Sequence, residues 1–130
     1  MTQQARKTIL IIEDEKSLRG ALVDILMLKK YIPLKARNGR EGLELALSNH
    51  PDLILLDLIM PEMDGLTTLK KIREEDAWGK KVPIIILTNL SESKDLSTND
   101  SVTSQSTYYL IKSDWKLHDV VHKIESVLGK

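Results

Sequence analysis

An α/β fold with parallel strands follows from two features of the 130-residue chain. Short apolar runs recur without polar interruption, as expected of strands covered on both faces. Between them lie longer amphipathic stretches, long enough to serve as crossover helices. The runs are Thr8 to Ile12, Ile32 to Ala36, Leu53 to Leu56, Pro83 to Leu87 and Tyr108 to Ile111, which gives five strands.

The helices are read from their spacing. Leu18, Leu22, Ile25 and Leu28 lie along one face of the first, and Leu43, Ala46 and Leu47 along the second. Leu66, Leu69 and Ile72 mark the third. The last carries a broad stripe of Leu117, Val120, Val121, Ile124, Val127 and Leu128. Asn38 and Gly39 open the second crossover, and Ser113 with Asp114 offer N-cap chemistry for the final helix. The stretch Ser91 to Thr107 is rich in Ser, Thr, Asn and Asp, which compete with the backbone for hydrogen bonds, and has only Leu96 and Val102 as apolar anchors. A helix there is expected to be marginal, and so easily biased by a nearby event.

Length allows one domain, with residues 1–7 as an N-terminal lead, 8–128 as the folded unit and 129–130 as a tail. Apolar residues at 42% and charged residues at 29% fit a globular chain and exclude a disordered one. No apolar run reaches bilayer length, and the polar MTQQARK start does not read as a secretory signal, so a cytoplasmic location without membrane contact is expected. Acidic and basic residues balance at 19 each, which disfavours direct nucleic-acid binding. With no cysteine, disulfides, thiolate metal sites and cysteine nucleophiles are excluded.

In an open parallel sheet, ligands bind beyond the carboxyl ends of the strands. Glu13 and Asp14 follow the first strand, Asp57 the third in LILLD, Thr88 ends the fourth in IIILT, and Lys112 ends the fifth in YYLIK. Three carboxylates at one edge repel unless a cation neutralises them, and an oxygen-only set suits Mg²⁺. A carboxylate nucleophile, a divalent ion, a hydroxyl and an ammonium are the parts that phosphoryl transfer requires. Any one of these residues alone reads more readily as a solvated loop position; their joint placement carries the reading.

Through ILIIEDE, LILLDLIMPEMDG, IIILT and YYLIKS the chain resembles the receiver domain of response regulators in two-component systems, from about Thr8 to Leu128. The resemblance implies a doubly wound, flavodoxin-like sheet with strand order 2-1-3-4-5. It implies Asp57 as phosphoacceptor, with Glu13, Asp14, Asp57 and the main-chain carbonyl of Ile59 around a Mg²⁺ ion. Thr88 and Lys112 would contact the phosphoryl oxygens, and Tyr109 stands where the family's switch aromatic stands. Asn89, Gln105 and Ser113 depart from the family's usual small residue, glycine and proline. Ile59 and Leu90, both apolar, would border the water that hydrolyses the acyl phosphate, so slow self-hydrolysis is expected. With proline absent, the peptide after Lys112 is expected trans.

The function so implied is a phosphorelay switch rather than a turnover enzyme. It would receive phosphate from a histidine kinase or a histidine phosphotransfer protein and signal to a further protein, as a monomer or a phosphorylation-dependent dimer. The chain ends after the last helix, so a stand-alone receiver is expected. A phosphate-independent binding module of the same fold is the alternative. An aspartyl phosphohydrolase is disfavoured, because the general acid it needs two residues after the nucleophile is here Ile59. Four further features are given less weight. His118 and His122 are read as solvated, His50 as a surface residue, the charges from Lys70 to Asp76 as a solvated helix face, and Trp78 and Trp115 as partner anchors or partly buried.

Overall fold

The computed structural model describes residues 6–58, 64–75, 77–88, 107–111 and 116–129; Thr88, Tyr109 and Ile111 are described by their main chain only. Strands β1 (Thr8–Ile12), β2 (Ile32–Ala36), β3 (Leu53–Asp57), β4 (Ile84–Thr88) and β5 (Thr107–Ile111) form one parallel sheet in the order β2-β1-β3-β4-β5. The five strands read from the sequence and the doubly wound order that the resemblance implies are thus present.

The three central strands, β1, β3 and β4, split their apolar residues between two layers, which explains their unbroken runs. Leu10, Ile12, Ile54, Leu56, Ile84 and Ile86 face helices α2 (Gly39–Asn49) and α3 (Gly65–Glu75), where they meet Ala46, Leu69 and Ile72. Their neighbours Ile9, Ile11, Leu53, Leu55, Ile85 and Leu87 face α1 (Lys16–Leu28) and the C-terminal helix, against Leu22, Leu26, Val120 and Ile124. Burying each such side chain contributes about 1.5 to 3 kcal/mol, so the sheet is the rigid platform of the molecule.

Strand boundaries differ from the sequence reading by one residue where chemistry requires it. Pro83 lies outside β4 because it has no N–H to give the ladder, although its carbonyl accepts from Ile54 N at 3.0 Å. At the free edge, Ile32 turns its N–H inward to Lys7 O, so the neighbouring Pro33 presents its missing donor outward. Pro33 and Lys35 together blunt that edge against further pairing.

Helix α2 starts where Asn38 Oδ1 accepts from Glu41 N at 2.8 Å, while Glu41 Oε1 accepts from Arg37 N at 2.9 Å. It ends at His50, left-handed at φ 45°. Asp64 caps α3 by accepting from Thr67 N at 2.9 Å. A five-residue helix, α4 (Ala77–Lys81), precedes β4 and was too short to show periodicity in the sequence. The final helix, α5 (Leu117–Leu128), follows Lys116, whose N–H donates to Asp119 Oδ2 at 2.7 Å. The cap expected from Ser113 and Asp114 is therefore supplied by an acid inside the first turn; both of those residues lie outside the described set.

The expected solvated face on α3 needs a correction at Arg73. This residue is half-buried: Nη1 donates to Gly79 O at 3.1 Å and Val82 O at 2.6 Å, and Nη2 donates to Thr107 Oγ1 at 2.9 Å. Burial lowers its pKa from the ordinary arginine value. The guanidinium fork ties α3 to the entrances of β4 and β5, satisfying carbonyls that α4 leaves behind. Trp78 is also partly buried, donating Nε1–H to Pro51 O at 3.3 Å and stacking on His50 with ring centroids 4.4 Å apart. His118 and His122 stay exposed on α5, edge to face at 5.6 Å. On the α1 and α5 side, Tyr31 is buried, and burial followed by the charge of Glu125 raises its pKa above the ordinary tyrosine value. No helix among the described residues is long and apolar enough to cross a membrane.

Candidate functional site

The strand registers bring the acids together. Ile12 pairs with Leu56, so the next residues, Glu13 and Asp57, emerge side by side at the carboxyl edge of the sheet. Carboxylate oxygens of Glu13, Asp14 and Asp57 all lie within 4.8 Å of one another. Among the described residues this is the one grouping of three or more potential metal-binding side chains. Its burial is graded: Glu13 is 1% exposed and Asp57 3%, whereas Asp14 is open to solvent.

Two carboxylates held this deep are unfavourable as charges unless something compensates them. Part of the compensation is main-chain: Glu15 N donates to Glu13 Oε2 at 3.1 Å. A set of three carboxylates offering only oxygen would suit a hard divalent cation such as Mg²⁺. The donor set therefore fits the ion expected from the sequence.

Two residues that the sequence reading did not single out shape this edge. Arg19, one turn into α1, folds back so that Nη1 donates to Glu13 O at 3.0 Å and Asp14 O at 3.3 Å. Gly65, at the start of α3, donates its N–H to Leu58 O at 2.8 Å. A Cβ at Gly65 would lie 2.5 Å from Leu58 Cα and closer still to the Asp57 carbonyl oxygen. Only glycine lets α3 begin directly against the strand end that carries Asp57. The DG pair closing LILLDLIMPEMDG was the available signal for it.

β4 and β5 complete the edge. Asp57 pairs with Leu87, which puts Thr88 one residue further along, and Thr88 pairs with Ile111. Tyr109 pairs with Ile86, two residues before the end of β5. Lys112 follows Ile111 directly in the chain but lies outside the described residues, as do Ile59, Asn89, Leu90, Gln105, Ser113, Trp115 and the segment 91–106. The expected trans peptide at Lys112, the water-bordering positions and the marginal segment fall there too.

The doubly wound sheet carries its acidic cluster at the carboxyl edge, where open parallel α/β sheets bind their ligands. The model of the response regulator receiver domain matches residues 9–125, and the chain belongs to that family. It is 40% identical over 100 residues to the nitrate/nitrite response regulator protein NarL of Escherichia coli K12, covering 75% of this chain and 45% of that protein. It is 35% identical over 124 residues to a protein-glutamate methylesterase/protein-glutamine glutaminase of Archaeoglobus fulgidus, covering 94% of this chain and 34% of that protein. The chain thus spans less than half the length of these curated relatives. Among solved structures, it matches the receiver domain of a sensor histidine kinase from Pseudomonas aeruginosa PAO1, which holds a magnesium ion in its active site cleft. The TM-score is 0.82 and the identity 25%, over 97% of this chain and 100% of that one. The chain is therefore a receiver domain of two-component signalling, a class of signalling module rather than of turnover enzymes.

Proposed function

We propose that Asp57 accepts a phosphoryl group from a histidine kinase or a histidine phosphotransfer protein, with Mg²⁺ held by Asp14, Asp57 and the carbonyl of Ile59 and, through water, by Glu13. The observation that carries this reading is the meeting of Glu13, Asp14 and Asp57 oxygens within 4.8 Å at the carboxyl edge. Bound Mg²⁺ supplies positive charge that lets a phosphoryl anion approach three carboxylates. A carboxylate oxygen of Asp57 attacks phosphorus, the bond to the donor's histidine nitrogen breaks, and an acyl phosphate results. Thr88, at the end of β4, and Lys112, next in sequence after β5, hold the phosphoryl oxygens, and Tyr109 turns inward as Thr88 is drawn over. Output passes to a partner protein from a cytoplasmic receiver that does not touch membrane or nucleic acid directly. A phosphate-independent module is disfavoured, since nothing in simple binding calls for like charges gathered at such a cost in desolvation.

Intact-mass measurement after incubation with acetyl phosphate and Mg²⁺ tests the reading. One phosphoryl group is expected on the wild type and none on Asp57→Asn. Equal uptake by the variant would refute it.

A further inference from the structure

From the bonds that Arg19 makes, we infer that this residue positions the acidic β1–α1 turn for metal binding, an inference that rests on the Mg²⁺ reading above. Helix α1 is poorly furnished at its start. Its N-cap, Glu15, makes no side-chain cap bond, and its first turn has no acidic residue. Instead it opens with Lys16 and reaches Arg19 within one turn, placing cations at the end of the helix where the macrodipole disfavours them.

Helix stability does not account for a cation there; the turn does. Arg19 Nη1 bridges the main-chain oxygens of Glu13 and Asp14, at 3.0 and 3.3 Å, so one donor group fixes two consecutive peptide units. Those are the units from which two of the three clustered carboxylates project. Glu13 N–H is anchored separately on Ala36 O at 3.0 Å, and the bond from Glu15 N to Glu13 Oε2 at 3.1 Å uses a carboxylate oxygen that belongs to the cluster itself. Without Arg19 the turn would lose the donor that its two consecutive main-chain oxygens, Glu13 O and Asp14 O, share.

Two effects of removing Arg19 oppose each other, and this makes the inference decidable by sign. Deleting a positive charge beside three carboxylates should, by Coulomb's law alone, tighten a divalent cation. Loss of positioning should loosen it, and orienting groups behind metal ligands typically change affinity by about tenfold or more. We expect positioning to win. Arg19→Met should raise the Mg²⁺ dissociation constant about tenfold, read by NMR titration at the Asp14 and Glu15 amides. Arg19→Lys, which keeps the charge and can reach only one of the carbonyls well, should fall between Met and the wild type. Affinity in Arg19→Met that is unchanged or tighter overturns the inference while leaving the Mg²⁺ reading intact. Absence of saturable Mg²⁺ binding in the wild type overturns both.

Discussion

Chelating Mg²⁺, or replacing Asp14 with alanine, should slow phosphoryl uptake from acetyl phosphate by about a hundredfold, the scale on which lost electrostatic stabilisation of a transition state is felt. Glu13 and Asp57 are buried, and without a cation their charges and that of Asp14 face an incoming phosphoryl anion at close range. Asp14 is the informative position because it is exposed. Its removal deletes a proposed metal ligand without opening a cavity, so the fold should keep its stability while uptake collapses. The rate of mass gain with time, measured for wild type with and without chelator and for Asp14→Ala at high Mg²⁺, checks this. Wild-type rates in the chelated sample would show that uptake does not depend on a metal.

A second large effect is expected at Gly65. In Gly65→Ala the new methyl would meet main-chain atoms of Asp57 and Leu58, at 2.5 Å from Leu58 Cα, and not the tip of a movable side chain. Overpacking costs typically 1 to 3 kcal/mol, and a clash with backbone leaves little room for relief, so a loss of about 3 kcal/mol is expected. The strain falls on the peptide that carries Asp57, so phosphoryl uptake should fall as well. Urea unfolding of the two proteins measures the stability term. A loss below about 1 kcal/mol would mean that the β3–α3 junction yields easily.

The fold was legible because its central strands are buried on both faces: runs such as IIILT and LILLD cannot be surface strands, and the stripe on α5 cannot face water. The acids were legible because each ends a strand, where parallel sheets expose ligand sites. Other features were hidden for physical reasons. Arg73 sits in a mixed-charge run that reads as solvated, and only the folded backbone reveals the Gly79 and Val82 carbonyls that its long side chain reaches. Arg19 is hidden in the same way, since its partners are main-chain oxygens and leave no mark on residue type. The cap of α5 was misplaced because an acid at the third helical position can hold the start of a helix as well as one before it.

The most direct test of the central claim is borohydride reduction of protein exposed to acetyl phosphate and Mg²⁺, followed by peptide mass mapping. Borohydride converts an aspartyl phosphate to homoserine and spares free carboxylates. Homoserine at position 57, absent when Mg²⁺ is withheld, is the predicted result. Homoserine at another aspartate, or none in protein shown to carry the phosphoryl group, would contradict the assignment of Asp57 as the acceptor.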